Sequence, residues 1–340
     1  MVISLRLVLI LSMTAVYLYA DKNDTTSSTI LQPTNDTDTT TIQNSNNQTQ
    51  NNDITTLQQK KKLKYDKPKM FDFWSNGFDN FSKVYDMAVD KNNYKAWGWI
   101  TASSLLLFKY DKEIIDEAKR LGKKWDIPPD GQGAMKSIFS VGPFPILQTG
   151  DSKGAYLYLI GDGSVHIGIM AGMYAHGALS DNNKSLNVSS QLAEGLIGVA
   201  ITTQLLKHIT GRESPVVRSE DTGKWRWFPN QKDYHNDVQK YDAYPSGHLA
   251  TTMMSVTVLS ENYPDNPYIK PIGWTAMGLL SFQMLNNEVH WASDYPLALA
   301  IGYSFGKVSA SRQRDKARKN WQIIPAITNK ATGLNVVYRF

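Results

Sequence analysis

Apolar and polar positions divide the chain into distinct stretches. An apolar run from Leu7 to Tyr19 follows Arg6, and the chain turns polar at Asp21, just after the small residue Ala20. A short apolar run behind a weakly positive start reads as a secretory signal over residues 1–20, and it is short for a membrane span. Residues 21–66 are dominated by Thr, Asn, Gln and Ser. They bury too little apolar area to offset the entropy of ordering, so a disordered spacer is expected. Past Lys67 aromatic residues appear at once: Phe71, Phe73, Trp74, Phe78, Phe81 and Tyr85.

Helical periodicity then takes over. Leu192, Leu196, Val199 and Leu206 fall near one face of a Gly/Ala-rich segment, and Leu249, Met253 and Val256 follow i, i+4, i+7 spacing. Ile272 to Leu285 is apolar on most sides, as a central helix would be, and Leu297 to Phe305 continues another. Glu194, Lys207, Glu288 and Asp294 interrupt the apolar runs before any reaches spanning length. The pattern predicts an all-α bundle over residues 67–316. Residues 317–340 differ: Trp321–Ile327 and Leu334–Phe340 are β-prone and flank TNKATG, which predicts a short C-terminal hairpin.

Composition narrows the chemistry. The chain has 340 residues, 41% of them hydrophobic and 20% charged, with a net charge of +5 spread along it. That balance gives no reason to expect nucleic acid as a partner. The absence of cysteine excludes disulfides, thiolate metal sites and a cysteine nucleophile. The histidines outside the motifs below are scattered, and no metal site is expected. The run Lys60, Lys61, Lys62 and Lys64 is a solvated boundary, or the basis of a peripheral contact with an anionic membrane face.

Three stretches carry candidate chemistry. In Tyr244-Pro245-Ser246-Gly247-His248 a Pro-Ser-Gly turn precedes a helical pattern. Free N–H groups at a helix start attract an anion, and His248 would stand beside it as a proton donor. In His290-Trp291-Ala292-Ser293-Asp294, four-residue spacing on a helix would put the imidazole and carboxylate on one face, leaving the other ring nitrogen as base or nucleophile. Lys207 to Pro215 brings Lys207 and Arg212 to the end of a helical run. Taken singly, each also reads as ordinary structure: a capped helix, a surface pair, cations at a helix C-terminus.

In this order the three stretches resemble the type 2 phosphatidic acid phosphatase family, which includes bacterial acid phosphatases and vanadium haloperoxidases. Its motifs are K-x6-R-P, P-S-G-H and S-R-x5-H-x3-D, and the resemblance covers roughly residues 161–307. It implies a helical bundle with a central phosphate pocket, acting without metal in the phosphatase members. It also implies roles. Lys207, Ser246 and Gly247 would contact phosphate, His248 would protonate the leaving oxygen, His290 would take the phosphoryl group, and Asp294 would orient His290. The substrate would be a phosphorylated small molecule or a lipid phosphate. With the signal, the resemblance implies export, most simply to a bacterial periplasm or cell envelope.

Two arginines of the pattern are replaced. Ser214 precedes Pro215, Met284 lies six before His290, and Gln283 stands where the third motif has serine. Losing one preorganised donor typically costs ~10²–10³ in rate. Arg212 is the nearest substitute, with Arg218 and Arg226 as further compensating candidates and Asn286 and Asn287 as polar ones. Trp225, Trp227, Phe228, Tyr234 and Tyr241 suggest a lid or substrate wall. A phosphatase is therefore the leading expectation, with a non-catalytic phosphate-binding scaffold as alternative. Vanadate would be a cofactor only for the less favoured haloperoxidase reading; otherwise none is expected.

Overall fold

Side-chain caps set several helix starts. Ser152, Asp162, Asn182 and Ser246 each accept a hydrogen bond from a backbone N–H of the following turn. The computed structural model describes residues 65–69, 71–142, 144–319, 321–328 and 331–338. The expected signal and residues 21–64 of the expected spacer lie outside the described residues. The order is α1 (Asp72–Val89), α2 (Tyr94–Lys109), α3 (Asp111–Lys124), β1 (Met135–Val141), β2 (Phe144–Gly150), α4 (Lys153–Leu159), α5 (Gly163–Leu179), α6 (Asn183–Thr210), α7 (Gln231–Asn236), α8 (Gly247–Asn262), α9 (Ile269–Asn286), α10 (Tyr295–Lys319), β3 (Trp321–Thr328) and β4 (Ala331–Tyr338). Among the described residues no helix is long and apolar enough to cross a membrane.

Among the described residues, 65–315 form one contact unit. Its centre is α6, α8 and α10. Leu192 and Val199 of α6, Leu249 and Met254 of α8, and Phe305 of α10 are buried in one cluster. Close approach depends on missing side chains: a Cβ on Gly302 of α10 would stand 2.2 Å from the Ala250 carbonyl of α8. The apolar face expected from Leu192, Leu196, Val199 and Leu206 does face this core. Around the centre, α5 and α1 pack on α6, while α9 packs on α8 and α3. Polar side chains fix α1 in place. Glu194 of α6 accepts from Asn76 and Asn80, and Arg312 of α10 donates to Asp79 and Asn80.

The structure differs from expectation in two places. β1 and β2 form an antiparallel hairpin inside the helical unit, pairing Met135 with Gly150 and Val141 with Phe144. The register shifts between Ser137 and Ser140, so apolar and polar positions do not alternate cleanly and the strand pattern is masked. The segment Ile272–Leu285 is a helix, but only its inner face is central. Met277, Leu280, Met284 and Leu285 are buried while Ile272 and Leu279 are exposed. The second unit contains the expected C-terminal hairpin, with Trp321 opposite Tyr338 and Thr328 opposite Ala331. α10 runs on to Lys319, past residue 316.

Candidate active site

The site is assembled from three loops. The first leaves α6 through Gly211, which takes φ +51° and caps the helix, its N–H bonding the Lys207 carbonyl. A Cβ there would meet the Arg226 carbonyl at 2.1 Å, so the turn requires glycine. Lys207, in the last turn of α6, is buried, with its Nζ 3.4 Å from an Asp242 carboxylate oxygen. The second loop enters α8. Ser246 is its N-cap, buried, accepting from the Leu249 N–H at 3.4 Å. Gly247 and His248 follow in the first turn, so the turn's free N–H groups and His248 share one end of α8.

The third loop carries His290. The segment is not an α-helix. Chain turns follow α9, and Ala292–Asp294 form a single 3₁₀ turn before α10. The Glu288 backbone, at φ +56°, breaks the helical path. His290 and Asp294 still approach, with Nδ1 3.5 Å from Oδ2. The short partner of Nδ1 is instead the Ala243 carbonyl, at 2.7 Å. A carbonyl oxygen only accepts, so Nδ1 carries a proton, and in the neutral ring the lone pair is on Nε2. Asp294 does orient the loop, because its Oδ2 accepts the Trp291 N–H at 2.8 Å.

The two imidazoles stand together. The ring centroids of His248 and His290 are 6.3 Å apart, with planes at 66°. Tyr158 of α4 packs on His248 at 4.6 Å. Burial pushes the His248 pKa down to about 3, and His290, Lys207 and His166 add to the shift. His166 of α5 is itself buried and pushed down to about 4, chiefly by loss of solvent. His248 and His166 are therefore held neutral, with Lys207 near them. The pocket favours whatever negative charge can offset that field.

Arg212 is not available for such an anion. It is fully buried, and its Nη1 donates to Asp294 Oδ1 at 2.5 Å and Ser293 Oγ at 2.7 Å. Its Nη2 donates to Asp111 Oδ2 at 2.8 Å and to the Thr222 carbonyl at 2.9 Å. The guanidinium lies 5.0–5.2 Å from the rings of Trp225, Trp291 and Phe108. Expected as a phosphate ligand, Arg212 instead braces the floor of the His290 loop. Arg218 pairs with Glu288 at 2.7 Å, and Arg226 pairs with Glu213 at 3.0 Å. Both compensating candidates thus have carboxylate partners of their own.

The replaced positions have also been absorbed by packing. Met284 is fully buried, with its sulfur 3.5 Å from the Ser246 hydroxyl, which donates to it. The Ser214 N–H donates to the Gln239 carbonyl at 2.8 Å. Gln283 donates to the carbonyls of Pro128 and Asp130, and Asn286 to those of Ile127 and Pro128. These amides hold the 127–130 loop against α9. In the aromatic connection Trp225 and Trp227 stack at 5.6 Å and Tyr234 stacks on His208 at 4.0 Å, while Trp227 and Phe228 are largely exposed.

Asp111, at the start of α3, had no sequence signal. It is buried and holds Ser293 through both the N–H, at 3.0 Å, and the hydroxyl, at 2.5 Å. Burial pushes its pKa up to about 6 against the pull of Arg212, and Asp294 adds to the rise. Its partner Ser293, inside the third motif, and His166 were also not singled out as site residues.

Residues 190–318 match the model of the PAP2 superfamily, and this match encloses all three loops. Over that stretch the chain is similar to the PAP2 superfamily. Members of this superfamily are generally phosphatases, and the mostly helical architecture agrees with it. No curated protein and no solved structure gives a significant match. Within the PAP2 match, the positions of the two expected arginines are held by Ser214 and Met284.

Proposed function

We propose that the protein is a phosphoric ester hydrolase acting on phosphate monoesters or lipid phosphates through a phosphohistidine. The observation that carries this reading is the Nδ1–Ala243 bond, which leaves Nε2 of His290 as a nucleophile with His248 opposite. Nε2 attacks phosphorus and the bond to the leaving oxygen breaks. His248 gives that oxygen a proton. Water, deprotonated by His248, then attacks the phosphohistidine, releasing inorganic phosphate and restoring both rings.

His248 must be charged before the first step, and in the ligand-free pocket its pKa is about 3. A bound phosphate reverses the local field and draws a proton onto the ring, as does a substrate arriving as its monoanion. Both routes favour acidic conditions. Lys207 and the N–H groups at the start of α8 supply the fixed positive potential.

The purified protein should hydrolyse a chromogenic phosphate ester without added metal, and His290→Ala should lower the rate at least ~10³-fold. Equal rates for variant and parent would remove the mechanism. A second reading, a phosphate-binding scaffold, draws on Met284 and Ser214. The thioether occupies the hydroxyl of Ser246, and neither side chain brings charge. Phosphate binding without turnover in the parent would select it. Vanadate fits this residue set poorly, since Arg212, Arg218 and Arg226 are each paired to carboxylates.

A further inference from the structure

The apolar arc of α1 is wider than the face its neighbours cover. Gly77 and Asn80 face inward with Phe81 beside them, whereas Phe71, Trp74, Phe78, Tyr85 and Val89 form a second, exposed stripe at helical spacing. Trp74 is 58% exposed and Phe78 63%, and their rings meet edge to face at 5.8 Å. The stripe leads into α2, whose start is tied back to α1 by Trp97 Nε1 donating to the Ala88 carbonyl. No side chain between Lys95 and Lys109 is charged, yet only Ser103 and Leu107 of α2 are buried. Trp97, Trp99, Leu105 and Leu106 are all exposed.

Contiguous exposed aromatics of this extent mark an interaction surface. Charge identifies the occupant. Lys67 and Lys69 immediately precede the stripe, and in sequence they continue the run Lys60, Lys61, Lys62 and Lys64; Lys91 and Lys95 lie at the α1–α2 junction. Of the acidic residues of α1 and its C-cap, Asp79 is neutralised by Lys83 and Arg312 and Asp72 accepts the Lys69 N–H, while Asp86 and Asp90 are exposed beyond the lysine-rich end of the stripe. A cavity of ≈ 650 Å³ lined by Lys67, Lys69, Asp181, Phe73, Tyr174 and Leu186 has two cations and one carboxylate beside an apolar wall, a net positive rim that an anionic amphiphile fits.

We propose that α1 and α2 seat the protein on an anionic lipid surface, tryptophans at the headgroup boundary and lysines on the lipid charge. The seat does not depend on catalysis. It adjoins the site, since α2 packs against the 3₁₀ turn Ala292–Asp294.

The full chain should co-sediment with phosphatidylcholine vesicles containing phosphatidylglycerol and bind those lacking it more weakly. Replacing Trp74, Phe78, Trp97 and Trp99 together by Ser should weaken binding about tenfold or more, with helical circular dichroism unchanged. Brominated acyl chains should quench the parent's tryptophan fluorescence. The run Leu7–Tyr19 contains no tryptophan, so an anchor there would sediment the protein without quenching. Absent quenching overturns the proposal whether or not the variant folds. So does undiminished vesicle binding by the folded variant, or a parent dimer that ignores vesicles and falls apart on the same substitutions.

Discussion

α2 and α10 are both rich in apolar residues, and the structure treats them in opposite ways. From Ala298 to Phe305, α10 is buried or nearly so, with Gly302 against the α8 backbone and Phe305 against α6 and Phe81. α2 exposes most of its length. Helix propensity does not separate them. The difference is whether a neighbour offers a complementary surface: α10 lies against α1, α6 and α8, whereas α2 rests mainly on the 3₁₀ turn Ala292–Asp294. The polar groups follow the same division. Inside, beneath the His290 loop, the charges form a closed set in which Arg212 is shared by Asp111 and Asp294. Outside, lysines border aromatic rings with no such closure.

The largest effect is expected from breaking the closed set. Arg212→Met leaves two carboxylates buried without their cation, and removing one partner of a buried pair typically costs about 3–5 kcal/mol. Urea unfolding of the variant should show a loss of that order. Adding Asp111→Asn, which removes one stranded charge, should recover part of it. An Arg212→Met protein as stable as the parent would mean that the floor of the His290 loop is held by packing alone.

How much of this could be read in advance differs along the same line. The α6, α8 and α10 helices and the histidines of the motifs were legible, because burial on one face writes a 3.6-residue period and the motifs are short and local. Three features were not. Asp111 lies far in sequence from the loop it supports, and a lone Asp before a helix is indistinguishable from a dipole complement. The fate of Arg212 was misjudged because spacing puts it near the pocket but does not say which way its guanidinium turns. His290 and Asp294 were expected on one helical face. They meet across a 3₁₀ turn instead, and the Ala243 carbonyl that fixes the ring is a backbone group no motif records.

An intermediate effect concerns the imidazoles. His248 is held near pKa 3 in the folded protein against about 6.5 in an unfolded chain, so the unfolded state takes up the proton first as pH falls. Its contribution to stability is complete above pH 6.5 and is lost on acidification towards 3. Asp111, raised to about 6, has the opposite sign, losing stability as pH rises from the ordinary carboxylate value to about 6. Comparing the parent with His248→Gln cancels the Asp111 contribution. Between pH 7 and 5.5 the parent should lose about 1 kcal/mol more than the variant. Parallel stability curves would place His248 in water-like surroundings.

The smallest effect is expected on the outer stripe. Phe78→Ser removes a large ring that is mostly exposed already and whose aromatic neighbour, Trp74, is exposed too. Surface substitutions of this kind usually change stability by no more than about 0.5 kcal/mol. Thermal unfolding in the absence of lipid should therefore superimpose on the parent, although the residue is as apolar as those whose loss would damage the core. A drop of about 2 kcal/mol or more would show that Phe78 is covered in solution, by another part of the chain or a second copy. α1 would then be a core helix like α10, and the contrast between the two layers would disappear.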